Sequence, residues 1–220
     1  MKFDETAWTR WSGWIDTIRG DMSRIRNDAA IFSTFRRLVV ENRDWIAEHH
    51  GLRFCQFVVR SYVTAASLGI RRHVKKKDDA VSMARLIAQM QLCASQITLA
   101  FYWSKFPRNP DDVEWQPACF GRLSEDGTIV SSTILERDAT NLEELGKTIE
   151  GYADRVLAHL DPKGFADTFT FDDLEKAIRN FDELVCRYQG FLTGSSSNTL
   201  EAVVQYPWER IFEIPFKKPG

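Results

Sequence analysis

The spacing of large apolar residues near the N-terminus constrains this chain more than any other feature. Trp8, Trp11, Ile15, Ile18, Met22 and Ile25 follow one another at intervals of three and four, and Ala29 and Phe32 continue the series. That repeat lines up one face of an α-helix, whereas a strand would need strict alternation. The segment is therefore committed to helix, with an apolar stripe that other helices must cover. Gly13 and Gly20 interrupt it, each at a cost of about 1 kcal/mol relative to Ala. One bent helix and two helices divided near Gly20-Asp21 both satisfy the pattern.

The same periodicity recurs along the chain. A further helix is expected from about Ala30 to Glu48, closed by Gly51 in the left-handed conformation. The next, from about Arg53 to Lys76, carries Phe54, Val58, Ala65 and Leu68 on one side and Phe57, Tyr62 and Ile70 on others. Apolar almost all round, it is expected to be central. Asp78 or Asp79 is expected to cap a helix running through Ser82, Leu86, Ile87 and Met90.

The stretch from about Ser104 to Arg137 breaks the pattern. Pro107, Pro110, Pro117, Gly121 and Gly127 punctuate it, and Asp126-Gly127 before Thr-Ile-Val predicts a turn with short strands. This reads as an irregular insertion between the central helices. Helical spacing returns with Leu142, Leu145, Ile149, Tyr152 and Val156, and again with Leu174, Ile178, Phe181, Val185, Tyr188 and Leu192. Thr170 with Asp173 predicts a capping box at the start of that last helix. Gly194 to Asn198 is a connector, and the apolar tail from Val203 to Phe216 is expected to pack back across the bundle. No linker divides the first two hundred residues, so residues 1–220 read as one all-α helical-bundle domain.

Composition removes several function classes. With 44% hydrophobic residues, 27% charged residues and a net charge of −2, the chain is an ordinary globular protein, so an anionic partner must meet a local patch. Cys55, Cys93, Cys119 and Cys186 stand singly and read as reduced thiols, which fits a cytoplasmic setting. The N-terminus is acidic where a signal peptide is basic, and no run of eighteen apolar residues predicts a membrane span. His49-His50 is poorly spaced for a metal, because adjacent helical side chains diverge by about 100°. No dinucleotide, Walker, serine-hydrolase or zincin motif is present, so no cofactor or metal is expected.

Polar chemistry converges between Gly151 and Gly164. Asp154, Arg155 and His159 stand in the last turns of a predicted helix ended by Pro162. Arg155 and His159 are four apart, and so share one helix face. A purely structural account also covers them: His159 continues an apolar stripe at a helix C-terminus, and the two charges suit a solvated surface. The basic run from Arg71 to Lys77 is the second candidate. Its Arg71, Arg72, Lys75 and Lys76 can contact RNA phosphates, or can simply answer the dipole at a helix end. Arg85 is expected to be buried against a carboxylate; Trp8 and Trp11 are expected in the core, leaving Trp115 as the tryptophan placed for ligand contact.

Three local patterns carry a family resemblance. They are Ile70-Arg71-Arg72 closing a helix; Ser82-Met83-Ala84-Arg85-Leu86-Ile87 opening the next; and Tyr152-Ala153-Asp154-Arg155 leading to Ala158-His159. In this order, across roughly Phe32 to Tyr188, the chain resembles the HEPN-like superfamily, in its branch related to the abortive-infection protein AbiU. The resemblance implies an all-α, frequently dimeric bundle, and a metal-independent endoribonuclease of a bacterial defence or toxin-like system. By the family's pattern His159 is the histidine and Asp154 the polar residue, while Ala153 stands at the motif arginine and Arg155 lies nearby.

Such chemistry takes a proton from the 2′-hydroxyl, gives one to the departing 5′-oxygen and steadies charge on the phosphate. A histidine can move a proton near neutral pH and an arginine fork can hold phosphate oxygens. One histidine per chain fills one role, so a homodimer would complete the pair. The other expectation is a non-catalytic helical module that binds a partner protein or RNA.

Overall fold

The computed structural model describes residues 3–77, 79–106, 115–153, 170–195, 197–202 and 207–213. Among them the chain is all-α: helices α1 (Glu5–Glu41), α2 (Arg43–Glu48), α3 (Leu52–Val74), α4 (Met83–Gln91), α5 (Leu99–Lys105), α6 (Trp115–Gly121), α7 (Ser132–Ala153) and α8 (Phe171–Thr193). Short 3-10 turns cover Ala94–Gln96 and Trp208–Glu213. No described helix is long and apolar enough to cross a membrane.

Helix α1 is the axis of the bundle. Asp4 caps it by accepting a hydrogen bond from the Ala7 amide at 2.8 Å. It then runs 37 residues without the break considered at Gly20. Gly13 and Gly20 both face open space, where an absent side chain loses no packing. Ile18 and Met22, on either side of Gly20, are fully buried. Burying each contributes about 1.5–3 kcal/mol, which outweighs the glycine. The helix also carries past Ala30, where a new one was expected, and stops at Asn42, whose amide and side chain both bond the Leu38 carbonyl.

The turn into α3 differs from expectation in an instructive way. His50 holds the left-handed conformation (φ 59°), while Gly51 is in the ordinary right-handed region (φ −77°). Gly51 is needed for space: a Cβ there would come within 2.9 Å of Ile46 Cγ2. Helix α3 is not the central helix its composition suggested. Its buried residues, including Val63, Ala66, Ile70 and His73, lie on one face of its C-terminal part, and Phe54, Phe57 and Leu68 are exposed.

Ser82 is the cap of α4, in place of an aspartate before it. Its hydroxyl accepts from the Arg85 amide at 3.2 Å and donates to the Lys75 carbonyl at 2.9 Å. Arg85 meets no carboxylate among the described residues: it donates to the Ala80 carbonyl at 3.1 Å and its guanidinium lies 4.5 Å from the centre of the Trp14 ring. Much of the expected irregular insertion is regular, since α5 enters it, α6 lies inside it and α7 begins at Ser132. The strand signal yields a single antiparallel bridge between Thr98 and Ile129, not a hairpin. Gly127 supplies the left-handed residue (φ 75°), and the Asp126 carboxylate holds the turn by accepting from the Thr128 amide at 2.8 Å.

Packing is dominated by α1 against α8 and α3, and by α7 against α3 and α4. At one end Trp8 meets Phe101 and Phe191 with ring centroids 5.4 Å apart in each case. The predicted capping box of α8 is present, with Thr170 Oγ1 accepting from the Asp173 amide at 3.2 Å and the Asp173 carboxylate accepting from the Thr170 amide at 2.8 Å. Beyond Gly194 the connector is captured by buried Asp182, which accepts from Thr199 Oγ1 at 2.6 Å and the Leu200 amide at 3.0 Å. The tail packs back in part: Phe212 lies 6.2 Å from Phe35, yet Ile211 and Phe212 are each half-exposed.

Candidate functional site

Among the described residues, charge clusters are built into the helix interfaces at the basic end of α3 and between α7 and α8. In the first, Asp21 of α1 is buried where α3 crosses it. Its Oδ2 accepts from Arg72 Nη2 at 2.6 Å and lies 3.2 Å from His73 Nε2, while Oδ1 pairs with Arg24. His73 is 1% exposed and packs on Phe181 at 5.5 Å. Burial pushes its pKa down to about 4, with the adjacent carboxylate opposing the shift and Arg72 adding to it. At neutral pH the ring is therefore uncharged and carries one proton. A carboxylate only accepts, so that proton belongs on Nε2, which leaves buried Nδ1 as a bare acceptor without a partner among the described residues.

The basic run meets this cluster at Arg72. Arg72 is part of a structural ion pair, with its side chain 54% exposed. Lys76 is exposed, and Arg71 and Lys75 are half-buried. His49 is likewise occupied, its Nδ1 lying 2.8 Å from the Trp45 carbonyl and its ring stacked on Trp45. No group of metal-ligating side chains occurs among the described residues. Cys93, Cys119 and Cys186 are buried free thiols; burial raises the pKa of each, that of Cys186 to about 12.

The second cluster borders a groove of about 580 Å³ between α7 and α8, lined by Asn141, Leu145, Thr148, Lys176, Asn180 and Arg187 among others. Asp138 is fully buried behind it. Its Oδ2 accepts from the Tyr188 hydroxyl at 3.1 Å and its Oδ1 lies 3.1 Å from Arg187 Nη2. Burial raises the Asp138 pKa, and Arg187 and the Tyr188 hydrogen bond pull it back. Arg187 therefore has its guanidinium pinned from behind by a carboxylate while its side chain, 25% exposed, lines the groove. Glu144, Asp173 and Glu183 are also in the lining and outnumber its two cations, Lys176 and Arg187, so recognition there would rest on the one held guanidinium, Lys176 and the amides, not on a broad positive field.

Helices α7 and α8, which wall this groove, are joined by the segment carrying Asp154, Arg155 and His159. Those three residues lie outside the described residues, as does Asp78, and the side chain of Trp115 is also not described. The sequence places Tyr188 only on an apolar stripe, and the polar group it forms with Asp138 and Arg187 was missed. One signal was available: Asp138 falls at a core position in the series Leu135, Leu142, Leu145, Ile149, where a charge requires a buried partner. No protein-family profile, curated protein or solved structure matches the chain.

Proposed function

We propose that the chain is an RNA-directed, HEPN-like protein that acts as a metal-independent endoribonuclease in a bacterial defence or toxin-like setting, as a homodimer. The observation that carries this reading is the polar groove between α7 and α8, the two helices joined by the segment that bears Asp154, Arg155 and His159. His159 transfers the proton at the 2′-hydroxyl or the leaving 5′-oxygen, and the second copy of the chain fills the complementary role. Arg155 steadies the phosphate and Asp154 orients the histidine. Arg187 and Lys176 supply cations along the groove for the flanking phosphates.

The test is cleavage of a labelled RNA by the purified protein in EDTA. Cleavage leaving a 2′,3′-cyclic phosphate, lost at least 100-fold in His159→Ala and Arg155→Ala with far-UV circular dichroism unchanged, is the expected result. Absence of cleavage by the parent, or its survival in His159→Ala, refutes the assignment. The reading as a non-catalytic partner-binding module has its own support in the exposed apolar face of α3.

A further inference from the structure

Helix α3 has two faces, and only one is used by the fold. Val63, Ala66, Ile70 and His73 are buried against the bundle. On the opposite side Phe54, Phe57, Ser61, Ala65 and Leu68 form a second series at intervals of three and four, and all five are exposed. At about 100° per residue they fall within a stripe about 80° wide, close to the narrow seam of paired helices and narrower than the stripe a helix buries in a globular core. The exposures are 62% at Phe54, 59% at Phe57 and 51% at Leu68, large values for side chains of this size. Between the phenylalanines and Leu68, Ser61 and Ala65 leave a shallow section that a neighbouring backbone can approach.

The charge beside this seam is of one sign. Helix α3 carries Arg53, Arg60, Arg71 and Arg72, and no Asp or Glu occurs anywhere in it. Arg53 and Arg60 are exposed and lie on the same flank of the seam, about 240–260° around the helix from Phe54. In an antiparallel two-fold pairing of α3 with itself, like flanks meet, so Arg53 and Arg60 would oppose cations of the second copy. A helix with an apolar seam and carboxylates on its flank satisfies both features at once.

We propose that the outer face of α3 is a docking surface for an acidic amphipathic helix of a partner protein, held by Phe54, Phe57 and Leu68 and registered by Arg53 and Arg60. The surface lies apart from the α7–α8 groove, and the proposal is independent of RNA cleavage.

Two constrained helical peptides of about 20 residues test it, about the length needed to follow the seam at 1.5 Å per residue. Both carry leucines at intervals of three and four; one has glutamates on the flanks and the other lysines. Fluorescence anisotropy with the full chain is expected to show saturable binding of the glutamate peptide, at least tenfold tighter than the lysine peptide. Phe57→Asp, or Leu68→Asp if the first variant unfolds, should weaken it tenfold or more. Arg53→Glu combined with Arg60→Glu should invert the preference. No saturable binding, equal binding of the two peptides, or binding untouched by the seam variants overturns the proposal. So does a seam-dependent event of another kind without peptide binding: self-association in sedimentation, binding of phosphatidylglycerol vesicles, or binding of a uridine 20-mer.

Discussion

Mild acid should destabilise this protein through one side chain, His73. Its pKa is about 4 in the fold against 6.5 for the free side chain. The sign follows from proton counting: between those values the unfolded chain binds a proton that the native state does not, so stability is full above 6.5 and falls as pH drops toward 4. Integrated over the whole window this amounts to about 3 kcal/mol, and about 2 kcal/mol of it is already lost at pH 5. His73 is only 1% exposed, so solvent screening takes little from that figure. For a chain of this size 2 kcal/mol corresponds to a drop of roughly 4–8 °C in melting temperature. The measurement is a set of melts from pH 7.5 to 5.0 on the parent and on His73→Phe, which keeps the ring contact with Phe181 and removes the titrating group. The variant starts lower, having lost a hydrogen bond to Asp21, but its melting temperature should fall less across the window. Asp138, whose raised pKa acts in the opposite sense, is present in both proteins and cancels in the difference. Parallel slopes for the two proteins would refute the reasoning, as would an NMR titration placing His73 above 6.

Further outcomes are expected elsewhere in the fold. Asp138→Ala leaves the Tyr188 hydroxyl and part of Arg187 buried without their acceptor, and should cost about 3–5 kcal/mol by urea denaturation, whereas Thr170→Ala at the α8 cap should cost about 1 kcal/mol. Gly146→Ala sets a Cβ within 2.9 Å of Val74 Cγ2 at the α3–α7 contact, so it should lower the melting temperature despite the better helix propensity of alanine. Of the four thiols, Cys55 is the only one not buried; it should react first with a thiol reagent at pH 8, and equal rates for all four would contradict the buried placement of the others.

The periodic elements were legible in the sequence because burial on one face writes itself as spacing. The α1 stripe from Trp8 to Phe32 and the α8 series from Leu174 to Leu192 are buried as expected. What was not legible is which apolar face is covered. Phe54 and Leu68 carry the same helical spacing as Val63 and Ile70, yet the first pair is exposed and the second buried. Composition cannot separate a face that packs within the chain from one that does not. Ends of helices were harder still: Ser82 and His50 took roles assigned to neighbours, because cap identity depends on local hydrogen bonds and close contacts at single residues. The candidate site was half visible. Arg72 could be named from its neighbours in sequence, but its partner Asp21 lies 51 residues away, and Arg187 gains meaning only from Asp138 across the α7–α8 contact.

The buried carboxylates connect these observations. Asp21 joins α1 to α3 through Arg72 and His73, Asp138 joins α7 to α8 through Tyr188 and Arg187, and Asp182 joins α8 to α1 through Arg26, 3.2 Å away, and to the connector. Each is an expensive group to bury, and removing its partner costs more than the pair contributes. Apolar stripes with similar spacing can slide by a turn against one another with little penalty; a buried carboxylate with a guanidinium or imidazole on the facing helix cannot. The three acids therefore fix the register of α1, α3, α7 and α8. They also sort the arginines: Arg26, Arg72 and Arg187 each pair with one of these buried carboxylates, whereas Arg53 and Arg60, on a helix without carboxylates of its own, are exposed. Neutralising Arg53 and Arg60 should consequently leave the melting temperature nearly unchanged, while replacing Arg26 or Arg187 should lower it.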